Sequence, residues 1–271
     1  MNVASSMKSP FQRLFRSKQE KTILAFHEKN FSAMDQTLPE DIFIAGYPKS
    51  GNTWFQDLVA GLVFGILSDK SHPKLIADLV PDVHENKNYY KRYQTPTFFK
   101  THHKPLPQYR NVVYLLRDGR DAMVSYWHHV NAIQGRKVDF QTMVRTGKDL
   151  YPCKWHEHVT AWMANPYGAR MILIKYEDLL TEPVRQLERF CAFSGIEVDA
   201  AYLEMIGDRT SFKKLQAREK RKGETSGQWP KDKLFYRRGM AGSFRDEMPE
   251  EVLQAFLADA GETLKKQGYS L

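Results

Sequence analysis

Ten residues, "AGYPKSGNTW" (Ala45 to Trp54), carry the densest chemical signal in this 271-residue chain. Gly46, four residues and then Gly51 have the spacing of a nucleotide-phosphate loop, and Ser50 and Thr53 add hydroxyl donors. The loop follows the apolar run "DIFIAG" and opens a helical pattern, so helix-start N–H groups and the positive end of the helix dipole would both face an anion. In a Walker A loop the residue after the second glycine is a lysine that reaches the β- and γ-phosphates, and the following hydroxyl holds Mg²⁺. Here that residue is Asn52, while the nearby lysine, Lys49, comes too early. The substitution argues against an ATP-Mg kinase and for a donor without a β/γ-phosphate pair. By itself, the spacing also fits a plain strand-to-helix turn.

Two other stretches offer complementary groups. "YLLRDGRDAMVSYWHH" puts Arg117, a planar fork of donors suited to phosphate, at a strand end, and Ser125 on the helix behind it. A surface ion pair of Arg117 with Asp118 or Asp121 is the competing reading. "TFFKTHHKPLP" ends in Lys100, Thr101, His102 and His103, and a strand's period of two turns Lys100 and His102 to one side. Adjacent histidines also occur at His128-His129, and "HEH" spans His156 to His158, but none has a metal-ligand spacing. The "HEHVT" run lacks the second histidine that a zinc-protease helix requires.

The elements that must hold these groups are readable as short apolar runs and helical patterns. Strands are expected at Asp41 to Gly46, Thr97 to Thr101, Asn111 to Leu116 and Arg170 to Tyr176; they lack strict alternation, as strands covered on both faces do. Helices are expected at Thr53 to Ile66, Asp121 to Ile133, Tyr151 to Ala164, Glu182 to Phe193 and Pro249 to Lys266. Thr181 is the expected N-cap of the Glu182 helix and Ser194-Gly195 its stop. The alternation predicts a three-layer α/β/α fold with a central, mainly parallel sheet. Residues 1–38 read as a helical extension, 39–271 as one domain, and 214–244 as a long lid-like loop within it.

Hydrophobic residues at 42% and aromatic residues at 13% are those of an ordered globular protein, not of a disordered tail. No run is long and apolar enough for a membrane span, and the N-terminal residues lack the features of a secretory signal, so a cytoplasmic protein without stable membrane insertion is expected. The "SPFQRLFRSKQEK" stretch reads as a packed or frayed helix, or as a basic amphipathic segment for a membrane surface or organelle targeting. Two cysteines, Cys153 and Cys191, leave no disulfide framework. The formal charge of +8 calls for an anionic partner, and the densest basic run, Lys213 to Lys222, reads as a solvated helix face or, in a rival account, as a nucleic-acid contact.

"YPKSGNTW" resembles the 5′-phosphosulfate loop of the cytosolic-type sulfotransferases, usually T-Y-P-K-S-G-T-T-W. The Arg117 to Ser125 stretch is similar to that family's 3′-phosphate motif, and "FYRRGMAGSF" to its R-K-G-x-x-G-D-W element. The resemblance runs from about Pro39 to Phe244. It implies that 3′-phosphoadenosine 5′-phosphosulfate (PAPS) donates a sulfuryl group to a small-molecule acceptor, without a metal, leaving adenosine 3′,5′-bisphosphate (PAP). It further implies that Lys49 lies by the bridging oxygen, with Ser50, Gly51, Asn52 and Thr53 around the 5′ end. Trp54, Tyr176, Thr210 and Phe212 would surround the adenine, and Arg117, Ser125, Arg237, Arg238 and Gly239 the 3′-phosphate. His102 would be the general base, Lys100 a charge stabiliser, and Ser125 a restraint on Lys49. The bisphosphorylated nucleotide accounts for the basic charge without nucleic acid.

The chain departs from the pattern at Ser243 and Phe244, where Asp-Trp is usual, and lacks the family's short dimerisation element, which leaves monomer and homodimer both open. For the acceptor, Tyr89, Tyr90 and Tyr93, with Trp127 and Tyr151, read equally as pocket walls or as packing residues. The acceptor is expected to be a small hydroxylated metabolite, with an amine as the variant.

Overall fold

The computed structural model describes residues 31–84, 88–223 and 229–271. Four parallel strands form the central sheet in the order β4-β2-β5-β6, where β2 is Ile42–Gly46, β4 is Phe98–Thr101, β5 is Asn111–Leu116 and β6 is Arg170–Lys175. These are the four expected runs, each trimmed by no more than a terminal residue. A separate antiparallel pair joins β1, Phe31–Ala33, to β3, Tyr89–Lys91. Within the expected helical extension, residues 31–33 form this strand instead; residues 1–30 lie outside the described ones.

Alternate residues of each central strand feed opposite layers. Phe43, Phe99, Val112 and Tyr114 pack with helices α3 (Gly119–Gln134), α5 (Trp155–Ala164) and α11 (Glu250–Lys266). Ile42, Ile44, Phe98 and Val113 pack on the other face against α1 (Asn52–Phe64), α7 (Pro183–Ser194) and α8 (Ala200–Arg209). The result is the expected three-layer architecture. The short helices α2 (Pro73–Leu79), α4 (Phe140–Thr146), α6 (Tyr176–Thr181) and α10 (Phe244–Glu247) complete the framework.

Several local expectations need correction. Thr181 does not cap α7: it closes α6, and the N-cap is Glu182, with Pro183 supplying the preset first turn. The helix does stop at Gly195, which adopts φ 73°. Residues 212–222 are not loop but helix α9, and the basic run it carries is not merely a solvated face. Arg218 is 2% exposed and donates to the equally buried Asp57 of α1 at 2.6 Å. Only the stretch after Lys222 is irregular, and of that, 224–228 lie outside the described residues.

Candidate active site

All four central strands end at one cleft of about 360 Å³, the place where open parallel sheets bind ligands. Strand β2 leads into the loop Tyr47 to Gly51 and then α1. The loop is shaped by two left-handed residues, Lys49 at φ 71° and Gly51 at φ 96°; a Cβ on Gly51 would also lie 2.9 Å from the Tyr176 ring. No side chain caps the start of α1, so the first-turn N–H groups, which lack intrahelical partners, are available where Gly51, Asn52 and Thr53 line the cleft.

Asn52 has a structural task in this loop. With its amide assigned as the neighbouring groups require, it accepts from the Gly46 N–H at 3.2 Å and donates to the Tyr47 carbonyl at 3.3 Å. Ser50, expected as a hydroxyl donor, does not line the cleft. Its side chain is sealed behind the turn without a hydrogen-bond partner, and its N–H goes to the Tyr47 carbonyl at 3.1 Å.

Lys49 points its ammonium over the Phe235 ring, 4.0 Å from the centroid. Its carbonyl accepts from Arg117 at 3.0 Å, and Arg117 also reaches the Met240 carbonyl at 3.3 Å. The competing ion pair of Arg117 does not form. Asp118 is taken by Arg120 at 2.7 Å, and Asp121 accepts from Gly242 and Phe244 N–H and Ser243 Oγ at 2.6, 2.8 and 3.1 Å. Asp121 thus fixes the glycine-rich 239–244 turn beside Arg117, and Phe244 fills the core at 5% exposure.

Arg237 and Arg238 line the cleft, held by the Glu247 carboxylate at 2.6 and 2.7 Å, which also receives His128 at 2.8 Å. Burial works against the Glu247 charge, yet these donors hold its carboxyl down to about 2. Gly239 lies so close to Phe212 that a Cβ would meet the ring at 2.2 Å. Trp54, Tyr176 and Phe212 wall an aromatic slot, Trp54 meeting Tyr176 edge-on at 5.7 Å. Thr210 is not a wall: it is buried, and its carbonyl accepts the Trp54 indole N–H at 2.7 Å, which fixes that ring. Ser125 faces the cleft as expected.

At the end of β4, His102 Nδ1 lies 2.8 Å from the Gly46 carbonyl. A carbonyl only accepts, so Nδ1 carries the proton and Nε2 keeps a lone pair for the cleft. The main chain at His102 is held from behind by His158, fully buried, whose Nε2–H lies 3.1 and 3.2 Å from the His102 and His103 carbonyls while Nδ1 accepts from Tyr114 at 3.0 Å. His103 turns away to Tyr109, 2.9 Å off.

Sequence reasoning missed a strap. Pro81 to His84 runs beside β4, with the Lys100 N–H on the Pro81 carbonyl at 2.8 Å and the Val83 N–H on the Lys100 carbonyl at 3.0 Å. It brings Asp82 to 2.8 Å from the Lys100 ammonium, and His84 Nε2 accepts the His102 N–H at 2.7 Å. His84 therefore carries its proton on Nδ1, facing the Tyr151 hydroxyl at 3.4 Å. Burial and Lys100 push His102 well below the ordinary imidazole range, and burial pushes His84 down to about 4. Both are neutral at physiological pH.

Of the expected acceptor walls, Tyr151 alone lines the cleft. Tyr89 and Tyr93 are exposed on the surface, and Tyr90 is buried at 4% with its hydroxyl on the Gln36 carbonyl at 2.8 Å. Trp127 stacks on Phe140 at 5.1 Å and donates to the Val138 carbonyl at 2.8 Å, so it packs the core instead. The cleft is also lined by His84, from the aromatic and basic stretch His84 to Pro96 expected at the acceptor pocket, by His129, expected as surface or pocket wall, and by Tyr126 and Phe235, which were not anticipated. Burial and the Lys49 charge push His129 down to about 3, and its buried Nδ1 has no hydrogen-bond partner. No motif marks Tyr126 or Phe235.

A sulfotransferase domain model matches residues 39–268. The chain belongs to the sulfotransferase family. Among its relatives are cytosolic sulfotransferase 11 of Arabidopsis thaliana, 26% identical over 84% of this chain and 73% of that protein, and flavonol 3-sulfotransferase of Flaveria bidentis, 26% identical over 80% and 79%. In fold, this sulfotransferase is similar to retinol dehydratase crystallised with androsterone and inactive cofactor PAP, with a TM-score of 0.65 at 24% identity, covering 88% of this chain and 83% of that one. A mouse sulfotransferase complexed with PAP gives 0.64 at 19% identity, over 86% and 87%. Among the described residues of this sulfotransferase, no helix is long and apolar enough to cross a membrane.

Proposed function

We propose that the cleft takes PAPS as donor substrate and moves its sulfuryl group to a hydroxyl of a small acceptor, with His102 as general base. The observation that carries the reading is the tautomer of His102: with Nδ1–H bound to Gly46, the Nε2 lone pair is the proton acceptor, held at the mouth of the phosphate loop. The residues present fit the donor. The uncapped start of α1 and Lys49 suit its 5′ end, Arg117, Arg237 and Arg238 its 3′-phosphate, and Trp54, Tyr176 and Phe212 a flat base. Names of relatives and the PAP carried by fold neighbours support the same assignment.

In the proposed step, His102 Nε2 removes the hydroxyl proton as the acceptor oxygen bonds to sulfur, opposite the bridging oxygen. The bond from sulfur to that oxygen breaks, and its electron pair stays on the departing phosphate. Lys49, Lys100 and the helix N–H groups neutralise the charge that develops there, as preorganised donors do in phosphoryl transfer. The low proton affinity of His102 in the cationic site rises when the anionic donor binds, because nearby negative charge favours the imidazolium. Relatives named as cytosolic sulfotransferases support a cytoplasmic placement.

Calorimetry with PAP, set against ATP plus Mg²⁺, on wild type and Lys49→Ala tests the donor assignment. PAP is expected to bind the wild-type protein tightly and the variant more weakly. Preferential binding of ATP with Mg²⁺ would refute it.

A further inference from the structure

We propose that Asp82 is a positioning residue of the transfer centre: it clamps the Lys100 ammonium beside the phosphate loop and sets a fixed negative charge next to His102. The inference rests on the reading of His102 as the base.

Asp82 reaches the centre because the strap on which it rides pairs with the catalytic strand itself, in a parallel bridge to Lys100. The two residues are thus joined through main chain and side chain at once. The carboxylate oxygens are divided between two partners. One lies 2.8 Å from Lys100 Nζ, and the other accepts the His84 N–H at 2.9 Å, which leaves the group a single orientation. Both side chains are 13% exposed, so their attraction is screened far less than that of a surface pair. On its other side Lys100 Nζ is 3.5 Å from Thr53 Oγ1, at the first turn of α1. The ammonium therefore spans strap and phosphate loop.

Without the clamp, a flexible four-carbon stem would leave a bare positive charge to wander beside the imidazole. The groups that act on His102 are Lys100 and His84, which lower its proton affinity, and Asp82 and the Gly46 carbonyl, which raise it; His129, itself under the field of Lys49 and Lys100, faces it from α3. Asp82 is the carboxylate in that set. Burial works against its own charge, yet the Lys100 ammonium and the His84 N–H keep it ionised.

The test uses the full-length wild type, Asp82→Asn and Asp82→Glu, with PAPS as donor and a panel of phenols and primary alcohols as acceptor probes. The probe that the wild type turns over fastest is then followed in all three proteins. Asp82→Asn is expected to lower kcat roughly tenfold, a larger effect than any change in PAP affinity by calorimetry or in the PAPS KM. The loss is expected to be larger for a primary alcohol than for an acidic phenol, since the weaker acid depends more on the base. Asp82→Glu is expected to recover part of the rate. A kcat for Asp82→Asn equal to wild type would overturn the proposal, as would a rate loss that simply tracks lost PAP affinity and a lowered Tm. If the wild type binds PAP but transfers to no hydroxyl probe, the base assignment of His102 fails, and with it the premise; if the wild type transfers and Asp82→Asn does so equally well, only the clamp fails.

Discussion

His102 hangs by Nδ1 from the carbonyl of Gly46, 2.8 Å away, so the proposed base and the proposed phosphate loop share one hydrogen bond. Movement of the loop would move the base with it. Gly46 is itself held tightly, since a Cβ there would lie 2.8 Å from the Asn52 amide and 2.8 Å from the Leu115 carbonyl. The proposed chemistry thus rests on close contacts among the ends of β2, β4 and β5.

Arg117 ties the two proposed anion-binding regions together through the Lys49 and Met240 carbonyls. Arg117→Lys keeps a charge but loses the planar fork, and is expected to weaken PAP binding roughly tenfold or more while the fold is retained. Calorimetry alongside a thermal melt checks this; unchanged affinity would assign Arg117 to packing alone.

The Arg218–Asp57 pair, with the Tyr236 hydroxyl 3.1 Å from Asp57, locks α9 onto α1 below the cleft. Arg218→Ala strands a buried carboxylate and is expected to destabilise the protein by about 3–5 kcal/mol. Urea denaturation measures it. A loss near zero would mean that the pair is solvated.

Burial holds His84 at about 4 and His158 at about 4, and burial with the Lys49 charge holds His129 at about 3. An unfolded imidazole titrates near 6.5, so between about 6.5 and these lower values the unfolded chain binds more protons. Stability is therefore full above about pH 6.5 and falls as pH drops through that window. Urea midpoints at neutral and mildly acidic pH should show the decline. A flat profile would contradict the burial of neutral imidazoles.

In the acceptor region, Tyr151→Ala is expected to raise acceptor KM, whereas Tyr89→Ala and Tyr93→Ala should leave it within about twofold. Steady-state kinetics at saturating PAPS decides between them. Equal effects at all three positions would place the acceptor outside the cleft.

The gathering of the residues expected around the donor was legible because they sit at the ends of strands marked by continuous apolar runs, and each run ends in a named group: Gly46, Lys100 with His102, Arg117 and Tyr176. The acceptor half was not. Asp82 and His84 reach the centre by lateral pairing of a strap to β4, and a tertiary bridge leaves no periodic mark in the chain. Tyr90 read equally as pocket wall or packing residue, and the pairing of its strand with β1 buries it. Arg218 was hidden in a basic run whose spacing places one of its charges inward, toward Asp57. Ser50 had the right type for a phosphate ligand, but the left-handed turn at Lys49 and Gly51 set its hydroxyl inside.

The central claim is most directly tested by a single-turnover reaction with PAPS and a hydroxyl acceptor, in which PAP and sulfated product are quantified together for wild type and His102→Ala. The wild type should form the two in equal amounts. His102→Ala should bind PAP as tightly yet transfer roughly 10²–10⁴-fold more slowly. Transfer by His102→Ala at the wild-type rate, or PAP formed without sulfated product in the wild type, would contradict the account.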